Sequence, residues 1–188
     1  HRHGGGPMFI DYVTLMLVNI AAGFFVLAGF LVRQDEQTHA WAPAFALVGL
    51  IALITGFRMT FTWPLPGSYN IAFGELSVLF GGLMLAATWP LARGLDLRPL
   101  ALYGLFAGLV AIEIGAQFLR LGLSKTPVLT GMGFLLAGVA GLGAYPTLQY
   151  DRKKFRILGA IVLIASGSIW AYLGYTAYWD HIASFMKR

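Results

Sequence analysis

The chain has 188 residues, 58% of them hydrophobic and only 11% charged, and its mean hydropathy is +0.73. A soluble domain carries about 25% charged residues and needs a polar shell, so this composition excludes a soluble globular fold. The net charge of +5 comes without a basic helix or basic–aromatic interleaving, so nucleic acid is not a partner, and the absence of cysteine removes disulfide and thiolate chemistry.

The leading HRHGGGP, residues 1–7, reads as the end of an expression tag plus a spacer, with a His-x-His copper site as the alternative. Beyond it, six apolar runs follow one another: Phe9–Val32, Ala44–Phe61, Ile71–Leu91, Leu100–Leu119, Val128–Gln149 and Ile157–Tyr178. Each has the length of about 20 residues that a bilayer span needs. None alternates with period two, so they predict helices and not a barrel. The expected fold is an all-α integral membrane protein, one six-transmembrane-helix bundle over residues 8–188.

In chain order, Asp11 opens the first helix as a candidate N-terminal cap that complements the helix dipole. Asn19 within it is an expected interhelical hydrogen bonder. The first loop carries Arg33 and a solvated His39. On the second helix Thr55, Arg58 and Thr62 share one face. The connection WPLPGSYN (Trp63–Asn70) follows, in which Pro64 and Pro66 set an extended path and Gly67 allows a turn. Arg58 and Glu75 flank it on antiparallel helices, so a salt bridge clamping its base is expected. Two readings of this loop stay open, a rigid cap on a helical hairpin or a solute-binding mouth that includes Tyr69 and Asn70.

The fourth helix holds a Gly104/Gly108 pair and, at i, i+4, i+7 on one face, Glu113, Gln117 and Arg120. Gly133, Ala137 and Gly141 continue a small-residue stripe on the fifth. Such stripes let backbones approach closely in lipid, either within one bundle or at an oligomer seam. Trp170, Tyr172, Tyr175 and Tyr178 run along the sixth helix, as interfacial belt and packing or as an aromatic pore wall. His181 lies just past it.

Loops one, three and five carry seven cations (Arg33, Arg93, Arg98, Arg152, Lys153, Lys154, Arg156), whereas loops two and four carry only Arg120 and Lys125. The positive-inside rule then makes both termini extracytoplasmic. In that orientation Asp11, Arg58, Glu75, Glu113, Gln117 and Arg120, with Tyr69 and Asn70, gather in the outer half. Charges inside a span are costly unless paired or hydrated, so this group is the candidate solute pathway or polar cluster. Glu113 is expected to act there as a protonatable gate or polar contact, or as a buried partner of Arg58 or Arg120. Glu75, Glu113 and His181 make a weaker candidate metal set. No nucleophile motif, Walker loop, GxGxxG or HExxH is present, and neither catalysis nor a cofactor is predicted.

On FIDYVTLMLVN, WAPAFALVGLIALITG, FTWPLPGSYNIAFGE and IWAYLGYTAYW the chain resembles the membrane family known as domain of unknown function 981. GLDLRPLALYGLFAGLVAI (Gly94–Ile112) is similar to the segment joining the third and fourth helices in the urea and short-chain amide channels of the AmiS/UreI family. That resemblance implies six helices, extracytoplasmic termini and a ring of protomers, each with its own pore. The third helix here, VLFGGLMLAAT, lacks that family's aromatics, and the sixth contains no glutamate, so no pore residues carry over. The leading expectation is a channel or facilitator for a small polar solute, urea/amide-like or ammonia-like, acting in the lipid bilayer as a homo-oligomer. A structural or accessory subunit of a larger complex is the alternative, and an intramembrane metal-dependent enzyme the third reading.

Overall fold

In hydrocarbon a backbone finds hydrogen-bond partners only within its own segment, and each apolar run accordingly folds as a helix. The computed structural model describes residues 12–33 and 37–185. Its helices are α1 (Val13–Val32), α2 (Ala42–Thr62, after a 3-10 turn at Thr38–Trp41), α3 (Leu76–Arg93), α4 (Arg98–Leu121), α5 (Pro127–Tyr150) and α6 (Lys153–Phe185). A π-helical turn, Asn70–Glu75, leads directly into α3. Among the described residues six helices are long and apolar enough to cross a membrane. The protein is a multi-pass membrane protein.

Local sequence sets the helix ends. Pro43, Pro99 and Pro127 occupy the first turns of α2, α4 and α5, where a missing N–H costs nothing. Gly94 and Gly122 close α3 and α4 with φ of 66° and 63°, the left-handed ending that glycine adopts freely. Trp63 ends α2 in the same region, at φ 46°, which is strained for a bulky residue. The last helix runs beyond the expected Tyr178 to Phe185. At 33 residues it measures about 50 Å, more than the bilayer core of about 30 Å.

The helices close on themselves. Each packs against its sequence neighbour, α1 on α2 through to α5 on α6, and α6 returns to α1. The pairs α1/α6, α2/α3 and α4/α5 pack most extensively, and α3/α4 least.

Glycine explains the tight pairs. A Cβ on Gly49 would fall 2.9 Å from the Gly81 carbonyl oxygen, and one on Gly56 3.0 Å from that of Gly74. On the other hairpin, Gly108 would meet Gly138 O at 2.7 Å and Gly115 would meet Gly131 O at 2.9 Å. The two glycines of each segment stand seven residues apart (Gly49/Gly56, Gly74/Gly81, Gly108/Gly115 and Gly131/Gly138, with Gly74 in the π-helical turn), which keeps both on one seam. Gly141 also packs on Gly108, so this small-residue seam lies within the bundle.

Candidate functional site

The ring encloses a cavity of about 500 Å³. Its size follows from small side chains at one-face spacing: Gly104, Ala107, Gly108 and Ala111 on α4, with Ala137, Ala140, Gly141 and Ala144 on α5, line it. Bulky groups complete the lining, including Phe24 and Leu27 of α1 and Phe80 of α3.

Toward the end where α1 begins and α6 finishes, the cavity meets a plug of aromatic rings. Phe134 lies 4.8 Å, centroid to centroid, from Trp170, 5.3 Å from Phe118 and 5.4 Å from Phe73. Phe73 also meets Trp170 and Phe118, each at 6.1 Å and nearly edge-on. Such tilted and edge-to-face pairs are the favoured aromatic arrangements. All four rings are buried, and Phe118 and Trp170 are only 1% exposed. Tyr69 stacks on Phe73 and lies edge-on to Phe118, each at 6.2 Å.

The proline-rich connection holds this plug in place. Asn70 is 0% exposed; its Oδ1 accepts the Leu65 N–H at 3.0 Å, and its Nδ2 donates to the carbonyls of Gly67 (3.1 Å) and Leu65. The loop is thereby stapled to the head of α3, and Leu65 packs on the core that contains the plug. Phe73 lies in the π-helical turn, a local geometry that recurs at functional sites.

Within the cavity wall, polar groups are few. Ser77 and Trp170 belong to its lining residues at 2% and 1% exposure, and among the described residues neither the Ser77 hydroxyl nor the Trp170 Nε1–H finds a hydrogen-bond partner. A buried unpaired group of this kind costs about 1–3 kcal/mol. Ser166, by contrast, is satisfied, donating to Gly133 O at 2.9 Å.

At the other end a cleft of about 230 Å³ shares Phe30, Leu97 and Leu148 with the cavity lining. Thr38, Asp96 and Arg98 border it. Arg98 bonds Asp96 through its backbone N–H and through Nε, both at 2.8 Å, and its Nη1 reaches Gln149 Oε1 on α5 at 3.5 Å. The backbone N–H and then the guanidinium of Arg98 hold the Asp96 carboxyl below its ordinary range.

The polar residues singled out from sequence lie elsewhere. Arg58, Glu75, Glu113 and Arg120 are exposed, Gln117 and Tyr69 are half-buried, and Asn70 is buried as a staple. None of these seven lines the cavity. Glu113 accepts from Gln117 Nε2 at 3.0 Å on the outward face of α4. The expected clamp does not form: among the described residues no ion pair joins Arg58 to Glu75 or Glu113.

The reason lies in the helix faces. On α2 the buried stripe is Phe45, Val48, Gly49, Ala52, Thr55, Gly56 and Met59, and on α4 it is Ala101, Gly104, Gly108, Ala111, Gly115 and Phe118. Arg58 and Glu113 fall outside these stripes. Arg58 instead lies near Tyr12, where burial pushes the phenol up and the guanidinium pulls it down. Asp11 lies outside the described residues. Among the described residues no three His, Asp or Glu side chains group to hold a metal, so Glu75, Glu113 and His181 do not form a set. Tyr172, Tyr175 and Trp179 face outward. The residues missed from sequence are Phe73, Ser77, Phe118 and Phe134. Their only sequence signal is position, in that Phe73 and Ser77 share a helical face just after the loop.

The model of the family described as protein of unknown function, DUF981, matches residues 8–184. The chain belongs to that family. No curated protein matches it. Among solved structures it is similar to the Helicobacter pylori urea channel in its closed state, determined by cryo-EM. The TM-score is 0.72 at 17% sequence identity, over 90% of this chain and 98% of that one. At that identity the two share a fold, and this DUF981 member has that fold.

Proposed function

We propose that this protein is a channel or facilitator for a small uncharged polar solute, urea- or amide-like or ammonia-like, which travels along the axis of the helix ring. The single observation that carries the reading is a closed ring of helices around a cavity of about 500 Å³, stopped at one end by Phe73, Phe118, Phe134 and Trp170. A narrow apolar constriction gates by excluding water, and the small residues of α4 and α5 leave the rest of the axis open. The shared fold with a urea channel supports the same reading. With seven cations in the odd loops, the cavity opens toward the cytoplasm and the plug lies on the extracytoplasmic side.

Glu113 lies about 12 Å from the end of α4, at 1.5 Å per residue, and faces outward with Gln117. A carboxylate turned to lipid at that depth is costly. Contact with a second copy of the chain relieves that cost, which favours a homo-oligomer with the polar cluster at its seam.

Liposome swelling with urea, acetamide, glycerol and ammonia tests the pathway. At least one of these solutes should enter faster than into protein-free vesicles. Phe73→Ala, which opens the plug, should raise that rate while costing roughly 3–5 kcal/mol of stability. If neither protein accelerates any of the four, the channel reading fails.

A further inference from the structure

Of the residues that line the cavity, two are exposed: Val139 of α5 at 48% and Leu158 of α6 at 58%. All the others are buried or half-buried. A residue that borders the lumen and is also open to the outside marks a gap in the wall. At 1.5 Å per residue, Val139 lies about 16 Å from the end of α5 at Tyr150, and Leu158 about 8 Å from the start of α6. At those depths the gap faces the side of the ring and the hydrocarbon of the bilayer, not the axial mouth.

The sequence keeps this slot open. On α5, Val139, Gly143 and Pro146 stand at i, i+4, i+7 on one face, and on α6, Phe155, Leu158 and Val162 share another. Gly143 is the middle of the α5 stripe, and a Cβ added there would have nothing within 4 Å. The α5/α6 pair also packs less extensively than α2/α3 or α4/α5. No polar side chain belongs to either stripe, so an alkyl chain fills the slot better than water does.

Three cations stand at the head of the slot. Arg152, Lys153 and Lys154, where α5 passes to α6, are all exposed. Lys154 precedes Leu158 by one turn on the same helix face, and its Nζ lies 5.4 Å from the centre of the Phe155 ring. The neighbouring acid, Asp151, pairs with Arg156 at 3.4 Å, and among the described residues no ion pair engages Arg152, Lys153 or Lys154. Topology alone accounts for cations in this loop, but not for a glycine-lined slot beside them.

We propose that the α5/α6 slot binds an anionic phospholipid, with one acyl chain between Val139 and Leu158 and the headgroup on Arg152, Lys153 and Lys154. A bilayer molecule with an alkyl chain and a negative head matches both halves of the site. The site requires only the membrane-embedded fold and stands apart from the channel reading. Because the slot leads into the cavity, a bound chain also occupies part of the lumen.

The test uses the full-length protein in phosphatidylcholine vesicles that contain phosphatidylglycerol with a photoactivatable diazirine in one acyl chain. After irradiation, label mapped by mass spectrometry should concentrate on residues 139–146 and 155–162. Adding unlabelled phosphatidylglycerol should displace it, whereas adding zwitterionic phosphatidylethanolamine, or inorganic phosphate in solution, should not. Arg152→Gln, Lys153→Gln and Lys154→Gln together should weaken the competition by phosphatidylglycerol roughly fivefold for each charge removed. Gly143→Leu, which fills the slot without meeting a neighbour, should remove the label from both segments and leave the melting temperature unchanged or raised. Label spread evenly over the exposed faces of α2 and α4, or undiminished in Gly143→Leu, overturns the site. So does equal competition by phosphatidylethanolamine, displacement by inorganic phosphate, or competition that the three Gln substitutions leave unchanged.

Discussion

Asn70 holds three backbone groups of the loop ahead of α3, the N–H and C=O of Leu65 and the C=O of Gly67. Asn70→Ala strands all three in a buried setting, so thermal unfolding in detergent should show a loss of roughly 2–4 kcal/mol, at about 1 kcal/mol for each bond. Asn70→Asp keeps only the Leu65 N–H bond and sets a carboxylate against two carbonyls, and should be no better. At the opposite mouth Asp96 gives a pH signature. Its carboxyl is depressed in the folded state, so its contribution to stability is complete above the unfolded value. That contribution is lost as pH falls below about 4 and through the lowered folded value. The melting temperature of the wild type should drop in that window, whereas Asp96→Asn should lack this part of the drop. These roles were unevenly legible. The loop around Asn70 stood out because proline and glycine in an apolar chain demand an explanation. Phe73 did not stand out, and Trp170 stood only as one of four aromatics along the sixth helix with belt and pore wall both open, because an aromatic residue in an apolar run carries no polarity contrast that tells an axis from a lipid face.

Helices were the most legible element, since hydrocarbon leaves the backbone no other open course. Their rotation was not. The expectation that Arg58 and Glu113 turn inward weighs charge against lipid and ignores what else competes for the inner face. Glycine wins that competition: Gly49, Gly56, Gly108 and Gly115 must face a partner helix at backbone contact, and this turns the neighbouring charges out. A Cβ added at Gly108 would lie 2.7 Å from Gly138 O and 2.8 Å from Leu142 N, both backbone atoms with little room to yield. Gly108→Ala should therefore separate α4 from α5 and cost about 1–3 kcal/mol. Gly82 is the control, because nothing lies within 4 Å of its added Cβ. Gly82→Ala should be neutral or gain up to about 1 kcal/mol from helix propensity. Detergent melts of the two variants side by side check the contrast.

For the whole molecule, the sequence predicts direction and the structure supplies closure. Seven cations in odd loops predict that both termini lie outside the cytoplasm. Impermeant labelling of a cysteine added after Arg188, in a chain that has none of its own, should succeed from the outer side of intact cells. Access only from the cytoplasmic side would reverse the polarity of the cavity as well. That six runs form a ring, and not a two-layer bundle, was beyond the reach of periodicity, because every helix here is apolar on nearly all sides. Closure depends on α1 meeting α6, and that contact has consequences for how the protein is made. The hairpins α2/α3 and α4/α5 join consecutive helices and can associate as soon as each pair has entered the bilayer. The first helix must wait for the last, so during synthesis the future lumen is an open trough facing lipid, and the protein becomes a tube only after release of its C-terminal helix. Leu17 Cβ lies 3.2 Å from the place a Cβ on Gly174 would take, near the roughly 3.8 Å of a disulfide. In a Leu17→Cys, Gly174→Cys chain the bond should appear only in full-length product, and adding α6 as a separate peptide to a chain that stops at Tyr150 should restore it.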